Sequence, residues 1–225
     1  MEHASPAERL ETVRTIIADA ARLAGRSPHD VILIAISKTH GPDAILPLLE
    51  AGHRDFGENR VQEAAAKWPA LKALYPDARL HLVGQLQSNK ADQAVELFDA
   101  IHSVDRPSLI AALAKAVARA GRTSDCFVQV NAADEPQKGG CDVAALPDLF
   151  ASMRDSGLPL SGLMCIPPAD KEPAPWFALL AELARRHGLT GLSMGMSGDF
   201  ATAVTIGATH VRVGTALFGS RKVAG

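Results

Sequence analysis

A lysine at the end of an apolar run is the first residue in this chain with chemistry to offer. Val31-Ile32-Leu33-Ile34-Ala35-Ile36 leads into Ser37-Lys38-Thr39-His40-Gly41. If the run is a strand, Lys38 stands at its C-terminal exit. Loss of hydration there disfavours the ammonium form and favours a neutral, nucleophilic amine. Such an amine is what Schiff-base formation with an aldehyde requires. Position alone leaves the alternative open: an ordinary lysine at a strand exit with its head in water.

Two further signals lie near the end of the chain. Ser193-Met194-Gly195-Met196-Ser197-Gly198-Asp199 joins a predicted strand to a predicted helix. Its small residues let backbone N–H groups approach an anion, and Ser197 is placed to cap the helix while its hydroxyl faces a phosphate. Val211-Arg212-Val213-Gly214-Thr215 follows. An arginine inside an apolar strand needs a partner, either a ligand or an internal carboxylate. Helix capping plus a structural ion pair is the other reading of this region.

Three patterns carry less. Gly191-Leu192-Ser193-Met194-Gly195 matches G-x-S-x-G, and Asp199 and His210 follow in hydrolase order. A nucleophile elbow puts its serine on a strand-to-helix turn, whereas Ser193 falls within the predicted strand. Gly84 to Ala91 resembles a P-loop but lacks its second glycine and the hydroxyl residue after the lysine. His81, His102, His187 and His210 are scattered, with no pair at helical spacing, so no metal motif stands behind them.

The elements that must position these residues alternate in a regular rhythm. Short apolar runs begin near Val31, Arg54, Arg79, Ala100, Asp125, Leu160, Leu189 and His210, with Ala/Leu-rich amphipathic stretches such as Pro107 to Ala120 between them. Gly25, Gly52, Gly121, Gly157, Gly188 and Gly207 each close a helical stretch shortly before a strand. Ser5-Pro6-Ala7-Glu8 opens an additional first helix with a capping box. Eight strands in such alternation most simply close into an α/β (β/α)8 barrel, whose chemistry gathers at the C-terminal strand ends. Phosphate in this fold usually sits at the loops after strands seven and eight. A doubly wound sheet would ask for a glycine-rich first loop, which is absent here. The expected layout is a single domain over 1–225, with a helix within 1–25 and the barrel over 31–219.

Composition narrows the function. The chain has 225 residues, 47% of them hydrophobic and only 4% aromatic, which suits helices packed on an aliphatic parallel sheet. A net charge of −2 disfavours nucleic-acid binding through a broad basic field. No stretch approaches the roughly 18 apolar residues of a membrane span, and the N-terminus has no signal pattern. Cys126, Cys141 and Cys165 lack metal-type spacing and read as reduced thiols of a cytoplasmic protein.

Several segments together resemble the pyridoxal phosphate homeostasis proteins (the YggS/PROSC family). Ala35-Ile36-Ser37-Lys38-Thr39 is similar to the lysine motif of that family. So are Phe56 to Glu63, His81 to Lys90, Gly162 to Pro167, Leu192 to Asp199 and Val211 to Gly219. The matches run in order over nearly the whole chain. The resemblance implies a barrel of the alanine racemase N-terminal type, known as fold type III. It implies that Lys38 holds pyridoxal 5′-phosphate (PLP) as a Schiff base, and that Ser197, Gly214 and Thr215 hold its phosphate. Arg212 would face the pyridine nitrogen, with Asn59 and His81 near the ring. Lys138 occupies the position of a loop lysine linked to PLP handling in the family. Its surroundings depart from the common pattern, and it is not placed among the sites.

An arginine opposite the pyridine nitrogen disfavours ring protonation and so weakens the ring as an electron sink. Racemases with this barrel add a second domain, for which this chain leaves no residues. The expectation is therefore a PLP-binding protein of vitamin B6 homeostasis that is monomeric, lacks an established catalytic residue or metal, and delivers PLP to dependent apo-enzymes. A minimal racemase-like PLP enzyme and a PLP-free sugar-phosphate barrel are the competing readings.

Overall fold

The structure is a computed structural model that describes residues 4–133, 135 and 139–219. Lys138 lies outside the described residues. In chain order the main elements are α1 (Pro6–Leu23), β1 (Ile32–Ile36), α2 (Pro42–Glu50), β2 (Asp55–Glu58), α3 (Val61–Leu74) and β3 (Arg79–Leu82). These are followed by α4 (Ala91–Leu97), β4 (Ala100–Val104), α5 (Pro107–Ala120), β5 (Asp125–Gln129), α6 (Leu146–Ser156) and β6 (Leu160–Met164). The chain continues through α7 (Ala174–Arg186), β7 (Gly191–Met196), α8 (Phe200–Ile206), β8 (His210–Val213) and α9 (Thr215–Phe218).

The eight strands form a closed parallel barrel in sequence order. β1 closes it by pairing with β8, from Ile32 opposite His210 to Ala35 opposite Val213. This is the (β/α)8 architecture expected from the alternation, and each strand starts within two residues of its predicted position. The predicted capping box is formed: Glu8 N–H donates to Ser5 Oγ (3.2 Å) and Ser5 N–H to Glu8 Oε2 (2.7 Å). The six glycines read as helix stops all adopt positive φ, as at the αL caps of α5 (Gly121) and α6 (Gly157).

Period-two alternation sends the two faces of each strand to different surroundings. Outward residues such as Leu33, Ala35, Phe56, Leu80, Val128, Val211 and Val213 join one apolar core with the helices. The inside of the barrel differs in kind. His102 stacks on Phe127 with ring centroids 4.3 Å apart, and His210 meets both His102 (5.7 Å) and His81 (6.3 Å). A Cβ on Gly57 would lie 2.5 Å from Ile36 Cδ1, so the isoleucine side chain would have to shift to admit one. Outside the barrel, α1 packs against the helices flanking the β1–β8 seam, and Arg9 Nε donates to Leu217 O of α9 at 2.6 Å.

Candidate functional site

The loop after β1 is held by a buried cation. Lys67, on α3, is 8% exposed and donates from Nζ to Ser37 O (2.8 Å) and His40 O (2.9 Å). It thereby grips both sides of Lys38. The same Nζ lies 2.9 Å from Glu58 Oε1, whose side chain is fully buried, and 3.0 Å from Glu63 Oε1. Glu58 Oε1 also accepts from Ser37 Oγ (2.5 Å) and Trp68 Nε1 (3.1 Å). Burial raises the Glu63 carboxyl, but hydrogen bonds from Lys67 and the Thr39 N–H outweigh it and leave the group below its ordinary value. Thr39 sits at φ +66°, a conformation a β-branched residue adopts only under constraint. The Thr39 N–H bond to Glu63 (2.5 Å) and the two Lys67 bonds supply that constraint. Lys38 itself is half-buried rather than enclosed.

Lys38 opens onto a cavity of about 360 Å³ at the C-terminal ends of the strands. Ile36, Asn59, Val83, Ile166, Met196, Ser197, Gly198, Arg212, Gly214 and Thr215 complete its lining. Its size falls in the range of about 300–1,000 Å³ typical of small-molecule sites. Ser197 departs from its expected local role. Asp199, not Ser197, occupies the N-cap of α8, and its Oδ1 accepts from the Met196 N–H at 2.5 Å. Ser197 Oγ instead accepts from the Gly214 N–H at 3.2 Å, which joins the β7 and β8 loops. The turn is tight at Gly195 (φ +92°), where an added Cβ would lie 2.6 Å from Ala203 Cβ.

Arg212 forms the floor of this cavity and is 4% exposed. One guanidinium nitrogen donates to Ser193 Oγ (2.8 Å) and another to Cys165 O (3.0 Å). No carboxylate pairs with it among the described residues. Burial pulls its pKa below the ordinary arginine value, with the charge of Asp199 opposing. It remains a cation at physiological pH. Of the two partners considered for it, a ligand and an internal carboxylate, the carboxylate is therefore not found.

Lys38, Asn59, Ser197, Arg212, Gly214 and Thr215 converge on one cavity. His81 does not line it. That residue is buried inside the barrel, with Nε2 3.1 Å from Asp55 Oδ1 and Nδ1 3.1 Å from His102 Nε2. The scattered histidines 81, 102 and 210 meet in space, yet no group able to hold a metal ion forms among the described residues. Ser193 lies within β7, fully buried and bonded to His102 and Arg212, as its rejection as an elbow nucleophile required. The sequence did not point to Lys67 or Asp55, carried Glu58 and Glu63 only within the family-like segment Phe56 to Glu63, and set His102 aside among scattered histidines. Only the Glu63–Lys67 spacing of four on α3 was a readable hint. No helix among the described residues is long and apolar enough to cross a membrane.

The alanine racemase N-terminal domain family matches residues 12–222. The pyridoxal phosphate homeostasis protein of Pseudomonas aeruginosa is 40% identical, over 96% of this chain and 95% of that protein. PipY of Synechococcus elongatus, solved without PLP, is 42% identical and covers 96% of this chain and 100% of that one, with a TM-score of 0.85. The same protein solved with PLP bound gives a TM-score of 0.80.

Proposed function

This chain belongs to the alanine racemase N-terminal domain family, among the pyridoxal phosphate homeostasis proteins, and from that premise we propose that Lys38 holds PLP covalently in the cavity at the strand ends. The supporting observation is convergence: an amine from β1, a lone guanidinium from β8 and the Ser197–Gly214 pair meet around one cavity. A ring that carries an aldehyde on one side, a phosphate on another and a nitrogen on a third is matched by these groups.

When bound, PLP supplies an electron-withdrawing ring, and it withdraws most strongly when its nitrogen is protonated. Arg212 can only donate, so it holds that nitrogen unprotonated and restrains carbanion chemistry. Ser197 and Thr215 would offer hydroxyl groups to the phosphate, and Gly214, whose N–H donates to Ser197 Oγ, would fix the Ser197 side chain beside it. Lys67, through Ser37 O and His40 O, fixes the loop from which Lys38 projects. Asn59 closes the side of the cavity nearest β2. The residues thus serve binding and orientation, in keeping with a role in intracellular PLP supply rather than turnover. Dependent apo-enzymes are the proposed recipients. The proposed setting is the reducing cytoplasm, which fits three free and buried thiols whose pKa values burial pushes up to about 12, and the proposed state is a monomer.

The test is PLP titration followed by borohydride reduction and peptide mass mapping. A reduced adduct on the Lys38 peptide, lost in Lys38→Ala, is the expected result. A parent chain that carries no adduct, or carries it equally after Lys38→Ala, overturns the assignment.

A further inference from the structure

Arg212 is the upper end of a row of hydrogen bonds through the inside of the barrel. Arg212 donates to Ser193 Oγ (2.8 Å), Ser193 Oγ meets His102 Nδ1 (2.8 Å), and His102 Nε2 meets His81 Nδ1 (3.1 Å). His81 Nε2 then meets Asp55 Oδ1 (3.1 Å). The row spans β8, β7, β4, β3 and β2. Asp55, the first residue of β2, lines a separate hollow at the strand N-termini together with Val31, Ile32 and His53. The row therefore runs from one end of the barrel to the other, and beyond Arg212 none of its side chains lines the cavity that holds Lys38.

The two ends determine its direction. A guanidinium has only donors, and an ionised carboxylate has only acceptors. Burial raises the Asp55 carboxyl, but the His81 hydrogen bond and nearby positive charge outweigh it, so the carboxylate stays ionised. Were both imidazoles neutral, a His81 that donates from Nε2 to Asp55 would have to accept at Nδ1. His102 then donates from Nε2 and accepts at Nδ1, and Ser193 gives its hydroxyl proton to His102 while accepting from Arg212. Each donor has one acceptor, and every bond points toward Asp55. Removing Asp55 removes what sets this direction. A ring flipped to its other tautomer would donate to Ser193 and change how strongly Ser193 draws on the guanidinium.

We propose that Asp55 is a positioning residue for Arg212, acting through His81, His102 and Ser193 to fix how the guanidinium faces the ring nitrogen of the cofactor. This rests on the reading that Arg212 faces that nitrogen. Two readouts separate the proposal from that reading.

The first uses the ligand-free chain labelled with 15N-histidine. In the parent, His81 and His102 are expected as Nε2–H tautomers, and Asp55→Leu is expected to populate the Nδ1–H form of both. Unchanged tautomers overturn the proposal. The second compares affinity for PLP with affinity for its analogue carrying C–H in place of the ring nitrogen. Asp55→Leu is expected to weaken PLP binding about tenfold and leave the analogue within twofold of the parent. Equal weakening of both ligands marks a merely structural role and overturns the proposal, as does no weakening of PLP. If Asp55→Leu does not fold, Ser193→Ala cuts the row beside Arg212 and is read by the same ligand pair. A parent chain that binds neither ligand sinks the PLP reading, and the proposal for Arg212 with it. The tautomer result alone then decides whether Asp55 directs the row.

Discussion

Lys67 and Arg212 are both buried cations of one barrel, and they are neutralised in opposite ways. Lys67, outside the sheet, has two carboxylates and two carbonyls around one ammonium. Arg212, inside the barrel, has a hydroxyl and a carbonyl, with the nearest carboxylate on its row three side chains away. A buried charge surrounded by counter-charge is committed to holding structure in place. A buried charge supported only by neutral dipoles keeps its field available to a ligand. The contrast separates the residue that holds the lysine loop from the residue that lines the cavity, though both are basic and buried.

The largest effect that can test this contrast is acid. Burial above all, with the charge of Arg212 adding to it, holds His102 well below its ordinary pKa and His210 down to about 3. In the unfolded chain these rings take up protons below about pH 6.5, while the folded barrel refuses them until far lower pH. Stability is thus whole above pH 6.5 and is lost as pH falls toward 3, by about 1.4 kcal/mol per pH unit for each ring. Urea unfolding at pH 7, 5.5 and 4.5 measures it. A flat profile would mean that the interior accepts further charge beside Arg212.

Next in size is Lys67→Met. It strands Glu58 in the interior without its counter-charge and is expected to cost about 3–5 kcal/mol by denaturant unfolding. Adding Glu58→Gln should recover much of that loss, because the pair is coupled. The smallest effect is expected at the other cation. Arg212→Met gives up two hydrogen bonds but also a buried charge with no carboxylate beside it. Its stability should change by no more than about 1 kcal/mol, while affinity for PLP falls clearly. A loss as large as that of Lys67→Met would erase the distinction between the two cations.

Most of the fold was readable because each strand announces itself locally. The apolar runs and the glycine stops lie within a few residues of one another, as Gly121 before Asp125 and Gly157 before Leu160 illustrate. Lys38, Arg212 and the residues around Ser197 were readable for a related reason: each is a polar exception within an apolar pattern at a strand end. The interior row was not. Asp55, His81, His102, Ser193 and Arg212 come from five strands, and only closure of the sheet brings them together. Their spacings in the chain carry no trace of that meeting, so histidines that look scattered become neighbours. Ser193 shows the same limit. Its motif drew attention for a hydrolase pattern, while its actual partners stand 91 and 19 residues away. Lys67 was hidden because two of its acceptors are backbone carbonyls, which any residue type supplies.

The seam between β1 and β8 has a consequence for synthesis. The strand that leads into Lys38 emerges from the ribosome first among the eight, and the strand that carries Arg212 emerges last. Until β8 arrives, β1 has only β2 beside it, and the loop bearing Lys38 faces no guanidinium and no Gly214. Assembly of the cavity at the strand ends therefore coincides with the final long-range pairing of the chain, the slowest kind of contact to form. A nascent or truncated barrel carries Lys38 and Asn59 but not the Ser197, Arg212, Gly214 and Thr215 side of the cavity, so a complete cavity marks a finished molecule.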